Sequence, residues 1–284
     1  MNLPIPNFQL IQFIEAALAE DIRSGDITTN TLIPADAQAV ALMRFRESGI
    51  VCGIEAAKST FQLLDSNITL KVLLDDGSVV NGGEVALEIR GNARAILTAE
   101  RVALNIVQHL SGIATATAQY VKETEGTKAR IVDTRKTTPG LRLLEKYAVR
   151  CGGGHNHRYA LDDMILIKDN HVALCGGVQN AVSKARENVG QSVKIEVECD
   201  TIDQVREALQ AGAELILLDN MPPGTLREAV AIVNGKALCE ASGGINLLTV
   251  RGVAQSGVDV ISVGALTHSV RALDVGLDIE LKIN

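Results

Sequence analysis

Residues Val193–Asn220, VKIEVECDTIDQVREALQAGAELILLDN, decide the fold class of this chain. Val193–Val197 and Leu215–Leu218 are short apolar runs of strand length, and Ile202–Ala211 between them carries apolar residues at helical spacing. The Asp-Thr pair before the helical segment offers capping side chains. A strand, a helix and a second strand in this order indicate parallel strands that are covered by the helix.

The same unit recurs through the second half of the chain, where short apolar runs alternate with helical patterns. Six or more such units in series favour a barrel over an open sheet, although the periodicity alone is compatible with both. The apolar runs are Ala129–Asp133, Met164–Ile167, Val193–Val197, Leu215–Leu218, Ala237–Glu240 and Val260–Val263.

The chain before about residue 112 has a mixed pattern instead. Gln9–Ala19 has apolar residues at helical spacing, and Ala37–Ser48 and Ile68–Leu74 are predicted strands. A further helix is predicted over Ala99–Leu110, with Thr98 in its cap region. The first part of the chain is therefore predicted to be a separate α/β domain.

The composition excludes several classes of protein. The chain has 284 residues, 46% of them hydrophobic, which is enough to bury one large core or one large and one small. A net charge of -7 and an aromatic content of 2% argue against nucleic-acid binding, which uses basic patches and stacking rings. The first ten residues, MNLPIPNFQL, lack the features of a signal peptide, and no apolar run is long enough to span a bilayer. We expect neither nucleic acid nor a membrane as partner.

The five cysteines are an odd number, are widely spread and include no CxxC pair. We therefore expect neither a disulfide framework nor a zinc site, and we expect a cytoplasmic protein whose cysteines are packing residues. They are Cys52, Cys151, Cys175, Cys199 and Cys239.

Every apolar run of the second half ends in charged residues or glycine. In a parallel barrel these ends share one rim, which is where barrel enzymes place their chemistry. Polar loops after strands are common, but here the residues are sorted by position: cations follow the early strands, carboxylates the middle two and small residues the last two. The ends are Thr134-Arg135-Lys136, Lys168-Asp169-Asn170-His171, Glu198, Asp219-Asn220, Ser242-Gly243-Gly244 and Gly264-Ala265.

The last two ends predict a phosphate site, because glycines at 243, 244 and 264 let backbone N–H groups approach an anion closely. A helix after Ile245 would add its N-terminal dipole. The middle carboxylates, Glu198 and Asp219, could hold a divalent ion or ribose hydroxyls, the alternative being that one of them caps a helix.

The stretch Asp133–His171 is a cationic island in an acidic chain. Arg142, Lys146 and Arg150 lie at helical spacing beside Glu145, so we expect most of that stripe on a solvated or interface face. The remaining cations predict an anion-binding site, since arginine pairs bidentately with carboxylates and lysine supplies a point charge. They are Arg135, Lys136, Arg158 and Lys168.

A metal site at His155 and His157 is the alternative for this island. An HxH pair can chelate a metal, but no neighbouring carboxylate or third histidine is evident in the sequence.

These motifs together resemble the quinolinate phosphoribosyltransferases, the decarboxylating nicotinate-nucleotide pyrophosphorylases, along almost the whole chain. The resemblance implies an N-terminal α/β sandwich and an open α/β barrel of about seven parallel strands, here residues 1–112 and 113–271. It also implies that the tail 272–284 packs on the first domain. The motifs are EDIRSGDITT (Glu20–Thr29), LTAERVALN (Leu97–Asn105), DTRKTTPGLRLLEKYAVRCGGGHNHR, LIKDNH, EVE, LLDN, SGGI and SVGALTH.

The resemblance also implies a reaction and a set of site residues. The family joins quinolinate to phosphoribosyl pyrophosphate with Mg²⁺ and releases CO₂ and pyrophosphate, in NAD biosynthesis, as a homodimer or larger oligomer. The quinolinate carboxylates are expected to bind Arg135, His157, Arg158, Lys168 and, from a neighbouring chain, Arg101.

The other substrate is expected on the opposite side of the same site. The expected catalytic residues are Lys136, facing the diphosphate, and Glu198 and Asp219, holding the ribose and the metal. The full set expected for phosphoribosyl pyrophosphate is Thr134, Lys136, Glu198, Asp219, Ser242, Gly243, Gly244, Gly264 and Ala265.

Two rival functions remain open at this point. A non-catalytic relative of the molybdenum-transport type would share the scaffold but lack the intact HR and KDNH elements, which this chain has. A lipoyl-like carrier role is suggested by DDGSVVNGGEVALEIRG, although no lysine lies at the tip of that hairpin.

Overall fold

A computed structural model describes residues 7–280, and its contacts divide the chain into two compact units. The first comprises the chain up to Ala118, Thr138–Gly153 and the chain from Ser269 onward, and the second comprises Gln119–Thr137 and Gly154–His268. Residues 1–6 and 281–284, the outer ends of the predicted first domain and tail, lie outside the described residues.

The elements of the described chain alternate between helix and strand along most of its length. In chain order they are α1 (Asn7–Ile22), α2 (Ile27–Leu32), β1 (Gln38–Phe45), β2 (Gly49–Ile50), α3 (Ile54–Leu64), β3 (Thr69–Val72), β4 (Val79–Val80), β5 (Val85–Asn92), α4 (Ala93–Glu123), β6 (Arg130–Val132), α5 (Arg142–Cys151), β7 (Ile165–Ile167), α6 (Asp169–Cys175), α7 (Val178–Asn188), β8 (Ile195–Cys199), α8 (Ile202–Gln210), β9 (Leu215–Asp219), α9 (Pro223–Val233), β10 (Leu238–Ser242), α10 (Val250–Ala254), β11 (Val260–Ser262), α11 (Ala265–His268) and β12 (Val275–Glu280). Among the helices between residues 7 and 280, none has the apolar length that a bilayer crossing requires.

The first unit is built on a four-stranded antiparallel sheet in the order β12-β1-β5-β3. Alternate residues of β1 point into the core, where Met43 and Phe45 are fully buried. Phe61 of α3 and Ile96 of α4 belong to the same apolar cluster. Helices packed on a sheet confirm the predicted α/β sandwich.

The last strand of the described chain, β12, lies beside β1 in this sheet. Ion pairs join the two strands, because the Asp278 carboxylate contacts Nε of Arg44 at 3.0 Å and Nη2 of Arg46 at 2.5 Å.

The second unit contains a sheet of six parallel strands in the order β6-β11-β10-β9-β8-β7. The strands are short and apolar, and the interiors of β8 and β9 are fully buried at Val197, Ile216 and Leu218. This confirms the predicted open α/β architecture, but with six strands between residues 7 and 280 rather than about seven. Next to β6, the chain makes only an isolated parallel bridge between Val132 and His155, because the polar Asn-His-Arg segment that follows does not extend into a strand.

Three local predictions need correction. Helix α4 begins at Ala93 and not at Ala99, because the Asn92 side chain accepts hydrogen bonds from the Arg94 and Ala95 amides. Thr98 therefore lies inside the helix. The helix predicted after Ile245 begins only at Val250 and has five residues, so it supplies little dipole to the preceding loop.

The predicted solvated stripe on α5 is also partly wrong. Arg150 is exposed, but Lys146 is fully buried, as is its neighbour Glu145. Leu144 and Tyr147 on the same helix are buried as well, so α5 packs on several sides within the first unit. Lys146 is therefore part of the interior of that unit.

Candidate active site at the carboxyl ends of the parallel strands

A cleft of about 880 Å³ opens at the carboxyl ends of the six parallel strands. Because parallel strands share one direction, their following loops meet at the same edge. The cleft is lined by every predicted site residue of the second unit, namely Thr134, Arg135, Lys136, His157, Arg158, Lys168, Glu198, Asp219, Ser242, Gly243, Gly244, Gly264 and Ala265.

Arg101 is the one predicted site residue that does not line this cleft. It lies on α4 in the first unit and its side chain is exposed. Its expected contact with substrate, made from another chain, stays a prediction.

The cationic side of the cleft depends on a buried carboxylate. Asp133, at the end of β6, is fully buried and accepts hydrogen bonds from the His157 amide at 3.0 Å and from Asn156 Nδ2 at 2.5 Å. Arg158 Nη1 donates to the carbonyl of Met164 at 3.1 Å. These bonds fix the backbone and side chains that carry the His-Arg motif.

Arg158 and Arg135 both line the cleft and repel each other electrostatically. Burial lowers the pKa of the Arg158 guanidinium, and the nearby positive charge of Arg135 lowers it further. Two like charges held together at a partly buried site are stabilised by an anion between them. This wall of the cleft therefore fits a ligand with more than one negative group.

His157 lies between two carboxylates on the floor of the cleft. Its Nε2 is 3.3 Å from an oxygen of Glu196 and 3.3 Å from an oxygen of Glu240. Burial alone would lower the pKa of His157, but the two carboxylates raise it to about 10. The Arg158 amide donates to Nδ1 at 2.8 Å, so Nε2 carries the proton that faces the carboxylates. Burial raises the pKa of Glu196 itself.

Lys168 and Glu198, at the ends of the neighbouring strands β7 and β8, form an ion pair. The Lys168 amide donates to Nδ1 of His171 at 2.9 Å, which places His171 as the capping partner of α6. The alternative that Glu198 caps a helix is wrong, since α8 is capped by Thr201.

The neighbouring strand ends contain a short network around Asn220. Asn220 has a φ of 54°, its Nδ2 donates to Asp219 at 2.6 Å, and its amide donates to the carbonyl of Ser242 at 2.9 Å. A Cβ at Gly243 would lie 2.2 Å from Oδ1 of Asn220, and the φ of Gly243 is +91°. Only glycine fits this position without moving Asn220.

Lys136 is held from both sides of its backbone. Its amide donates to Oγ1 of Thr134 at 3.1 Å, and its carbonyl accepts from Oγ1 of Thr267 at 2.8 Å. A Cβ at Gly264 would lie 3.1 Å from Cδ of Lys136, so the aliphatic part of the lysine passes close to the backbone of that glycine.

The structure also places two glutamates at the site that were not predicted from the sequence to be site residues. Glu196 lies inside the predicted run Val193–Val197 and within the EVE motif, and Glu240 is the last residue of the predicted run Ala237–Glu240, but neither was predicted to belong to the site. Within residues 7–280, His157 with Glu196 and Glu240 is one of two groups whose geometry suits a metal ion. His155 belongs to neither group and is exposed, which argues against the HxH alternative.

Comparison with known proteins agrees with this geometry. Residues 26–111 match the model of the quinolinate phosphoribosyl transferase N-terminal domain, and residues 113–278 match that of its C-terminal domain. A probable nicotinate-nucleotide pyrophosphorylase [carboxylating] of Bacillus subtilis is 45% identical over 278 residues, which are 97% of this chain and 95% of that protein. The nicotinate-nucleotide pyrophosphorylase [carboxylating] of Mycobacterium leprae is 46% identical over 94% of this chain and 95% of its own length.

Solved structures of similar proteins have the same fold as this chain. The crystal structure of NadC from Streptococcus pyogenes superposes with a TM-score of 0.94 at 40% identity and covers 99% of this chain and 100% of its own. A nicotinate-nucleotide pyrophosphorylase structure from Francisella tularensis has a TM-score of 0.93, also at 40% identity, and covers 98% of each chain. With both domain models matched and relatives aligned along nearly their full length, this chain belongs to the quinolinate phosphoribosyltransferase family.

Proposed function

We propose that this chain transfers the phosphoribosyl group of phosphoribosyl pyrophosphate to the ring nitrogen of quinolinate. The products are nicotinate mononucleotide, CO₂ and pyrophosphate, in NAD biosynthesis. One observation carries the proposal: a single cleft holds cations along one part of its wall and carboxylates with glycine-bearing strand ends along the rest. The names of the relatives, nicotinate-nucleotide pyrophosphorylases, fit the same reaction.

The cationic part of the cleft suits the two carboxylates of quinolinate. Arg135 and Arg158 offer planar donors, Lys168 offers an ammonium group, and a protonated His157 adds positive charge. Nicotinate, with one carboxylate, would leave part of this positive charge without a partner, so the site favours the dicarboxylate.

The remaining part suits phosphoribosyl pyrophosphate. Ser242, Gly243 and Gly244 at one strand end, with Gly264 and Ala265 at the next, present backbone N–H groups to the 5-phosphate. Glu198 and Asp219 accept hydrogen bonds from the ribose hydroxyls. Thr134 and Lys136 lie on the side of the diphosphate.

The donors of this half also fit Mg²⁺. Glu198 and Asp219 provide carboxylate oxygens on adjacent strands, and Mg²⁺ prefers one or two carboxylates together with substrate phosphates. A bound Mg²⁺ would neutralise charge on the diphosphate as it leaves.

The reaction then follows from the placement of the two substrates. The ring nitrogen attacks C1 of the ribose as pyrophosphate departs, and positive charge develops on the sugar. Lys136 stabilises the leaving diphosphate, and Glu198 or Asp219 offsets the charge on the sugar. Alignment of both substrates in one cleft lowers the entropic part of the barrier.

Decarboxylation follows the transfer. The ring nitrogen, now cationic, accepts the electrons that remain when the adjacent carboxylate leaves as CO₂, while the cleft shields the carbanion from water.

The assembly and its location are part of the proposal. We infer from the family resemblance a homodimer or larger oligomer in which Arg101 of one chain completes the quinolinate site of another, and the exposure of Arg101 is compatible with this role. Five free cysteines fit a reducing compartment such as the cytoplasm.

The test is an assay of the purified chain with quinolinate, phosphoribosyl pyrophosphate and Mg²⁺. We expect nicotinate mononucleotide and CO₂ in equal amounts, and no turnover when Mg²⁺ is removed with a chelator. Absence of CO₂ release would refute the reaction. Equal use of nicotinate would refute the two-carboxylate argument specifically.

A further inference from the structure

Two cysteines that lie far apart in the sequence meet inside the first unit. Cys52 precedes α3 and Cys151 ends α5, and the Asp76 carboxylate lies beside them. One donor atom of each residue lies within 4.8 Å of the other two. Cys52 is fully buried and Cys151 is 7% exposed. None of the three lines the cleft or has a part in the proposed reaction.

The backbone and side chains around this cluster are held by hydrogen bonds. Ser111, itself fully buried, accepts from the Cys52 amide at 2.9 Å and donates to the Cys52 carbonyl at 3.1 Å. The Asp76 carboxylate accepts from the Ile54 amide at 3.0 Å and from the hydroxyl of Tyr147 at 2.8 Å. These bonds hold the Cys52 backbone and the Asp76 carboxylate in place.

The three donor groups have little contact with water, since Cys52 and Cys151 are buried and Asp76 is partly buried. A divalent cation bound by the two thiolates and the carboxylate would balance their negative charge.

We propose that Cys52, Asp76 and Cys151 form a binding site for a thiophilic divalent cation of the zinc type. Zinc lies about 2.3 Å from sulfur and about 2.0 Å from carboxylate oxygen, so its ligands are roughly 3.5 Å apart, which the observed spacing admits. Thiolate donors select zinc over the harder Mg²⁺. The site is therefore chemically distinct from the all-oxygen pair Glu198 and Asp219.

The surrounding residues fit the outer shell of such a site. Carboxylates that bind metal are commonly fixed by further hydrogen bonds, as Tyr147 and Ile54 fix Asp76 here. Asp76 is only partly buried, so the ion can reach the site from that side and a water molecule can complete four-fold coordination.

The experiment is a Co²⁺ titration of the full-length chain, kept reduced with a phosphine. Cobalt replaces zinc and shows a thiolate-to-metal charge-transfer band only when sulfur is bound. We expect this band to saturate at one equivalent, to disappear in Cys52→Ala and Cys151→Ala, and to persist in Cys239→Ala, a control that removes a buried cysteine outside the cluster. Because Glu198 and Asp219 contain no sulfur, the band is independent of the proposed catalytic activity.

A milder variant keeps the test decisive if the cysteine variants do not fold. Tyr147→Phe leaves all three ligands and is expected to weaken Co²⁺ binding by about 10–100-fold, the usual effect of losing an outer-shell hydrogen bond. Unchanged Co²⁺ affinity in Tyr147→Phe would overturn the proposal, and so would a band that persists in folded Cys52→Ala. So would the absence of a band in the folded, reduced chain, or a disulfide between Cys52 and Cys151 that forms in air while Co²⁺ gives no band.

Discussion

His157 depends on its two carboxylate neighbours for its charge. Glu196 and Glu240 each lie 3.3 Å from its Nε2, and the Arg158 amide, which contacts Nδ1, opposes a second ring proton. The pKa of His157 is raised in spite of this amide, because a proton interacts more strongly with a carboxylate charge than with an amide dipole. His157 is thus expected to be a cation at neutral pH, which adds positive charge to the part of the cleft proposed to bind quinolinate.

Removing one carboxylate tests this directly. In Glu240→Gln we expect the pKa of His157 to fall from about 10 towards the ordinary histidine range, as followed by NMR titration of the ring protons. His155 is exposed and serves as an internal control whose titration is unchanged. A His157 titration that is the same in both proteins would contradict the role of Glu240.

The raised pKa of His157 also affects the stability of the fold. A histidine whose folded pKa exceeds its unfolded value stabilises the fold fully below the unfolded value of 6.5, and the contribution is lost as the pH rises through about 10. Denaturant midpoints should therefore decline over that pH range more steeply in the natural protein than in Glu240→Gln. Equal slopes would mean that His157 does not bind the extra proton.

Lys168 and Glu198 neutralise each other in the chain without substrates. Because the Lys168 side chain is 45% exposed, solvent screens the ion pair, and the pair contributes little to the stability of the fold. In Glu198→Gln we expect quinolinate to bind unchanged or up to about fivefold more tightly by calorimetry, since Lys168 is released. Turnover should fall by about a hundredfold or more, since in the proposed reaction Glu198 is one of the two carboxylates that bind the ribose and would hold Mg²⁺. Weaker quinolinate binding in this variant would contradict the interpretation.

The sequence predicted the charged residues at the strand ends but not the carboxylates beneath them. Arg135, Lys168 and Asp219 follow apolar runs, so their shared edge could be deduced from strand direction alone. Glu196 and Glu240 lie within the runs, and only the arrangement of neighbouring strands shows that both face His157.

At the scale of single elements, the turn after β10 is tightly constrained. Gly243→Ala combines a left-handed backbone with a Cβ 2.2 Å from Asn220 Oδ1. We expect a loss of about 1–2 kcal/mol in stability and a KM for phosphoribosyl pyrophosphate raised about tenfold, because the turn and Asn220 must shift. Gly224→Ala in α9, where a Cβ meets nothing within 4 Å, is the matched control and should be neutral or slightly stabilising. Similar KM values in the two variants would argue against the constraint.

Helix α5 is anchored at its start by a buried acid. Glu145 accepts from the Thr138 amide at 3.1 Å and lies 2.9 Å from Nε2 of His109. Glu145→Ala leaves both donors without an acceptor and should lower the free energy of unfolding by about 1–3 kcal/mol, as measured by denaturant titration. Arg150→Ala, at an exposed position of the same helix, should change it by less than about 0.5 kcal/mol.

The types of the long elements were predictable, whereas several boundaries and one buried face were not. Thr201 was identifiable as a cap because it directly precedes a helical pattern. Asn92 was missed because it also ends a strand, and the helix begins without an intervening loop. Lys146 was predicted to be exposed because charged residues normally lie on a solvated face. It is buried, and the burial of a lysine depends on tertiary contacts that a single sequence does not reveal.

At the scale of the whole molecule, the proposed sharing of sites between chains makes a specific prediction. Arg101→Ala and Lys136→Ala chains should each be inactive alone, yet a mixed dimer should regain about a quarter to a half of the activity, because one of its two sites has every residue. Activity should be measured after unfolding and refolding the chains together, with verification of mixed dimers by mass. Verified mixed dimers without activity would contradict a role for Arg101 across the interface.

Contacts between distant parts of the chain were the least predictable feature. The five cysteines were expected to be packing residues, and the sequence did not predict that the fold brings Cys52 and Cys151 next to each other. Their sequence positions gave no sign of this, because spacing rules detect pairs only within one loop or one helix. The two domain types and the common edge of the parallel strands required no such information.

The hydrogen bond between Thr267 and Lys136 has a consequence for the folding of the protein during its synthesis on the ribosome. It spans 131 residues, and Lys136 follows strand β6, which pairs with β11, the last strand of its sheet along the chain. Strands β7 to β10 can assemble as they emerge, but β6 must wait for its neighbour until the chain is nearly complete. A nascent or truncated chain that ends before residue 267 is therefore expected to have no enzymatic activity. The active site is expected to form only in a late step of synthesis.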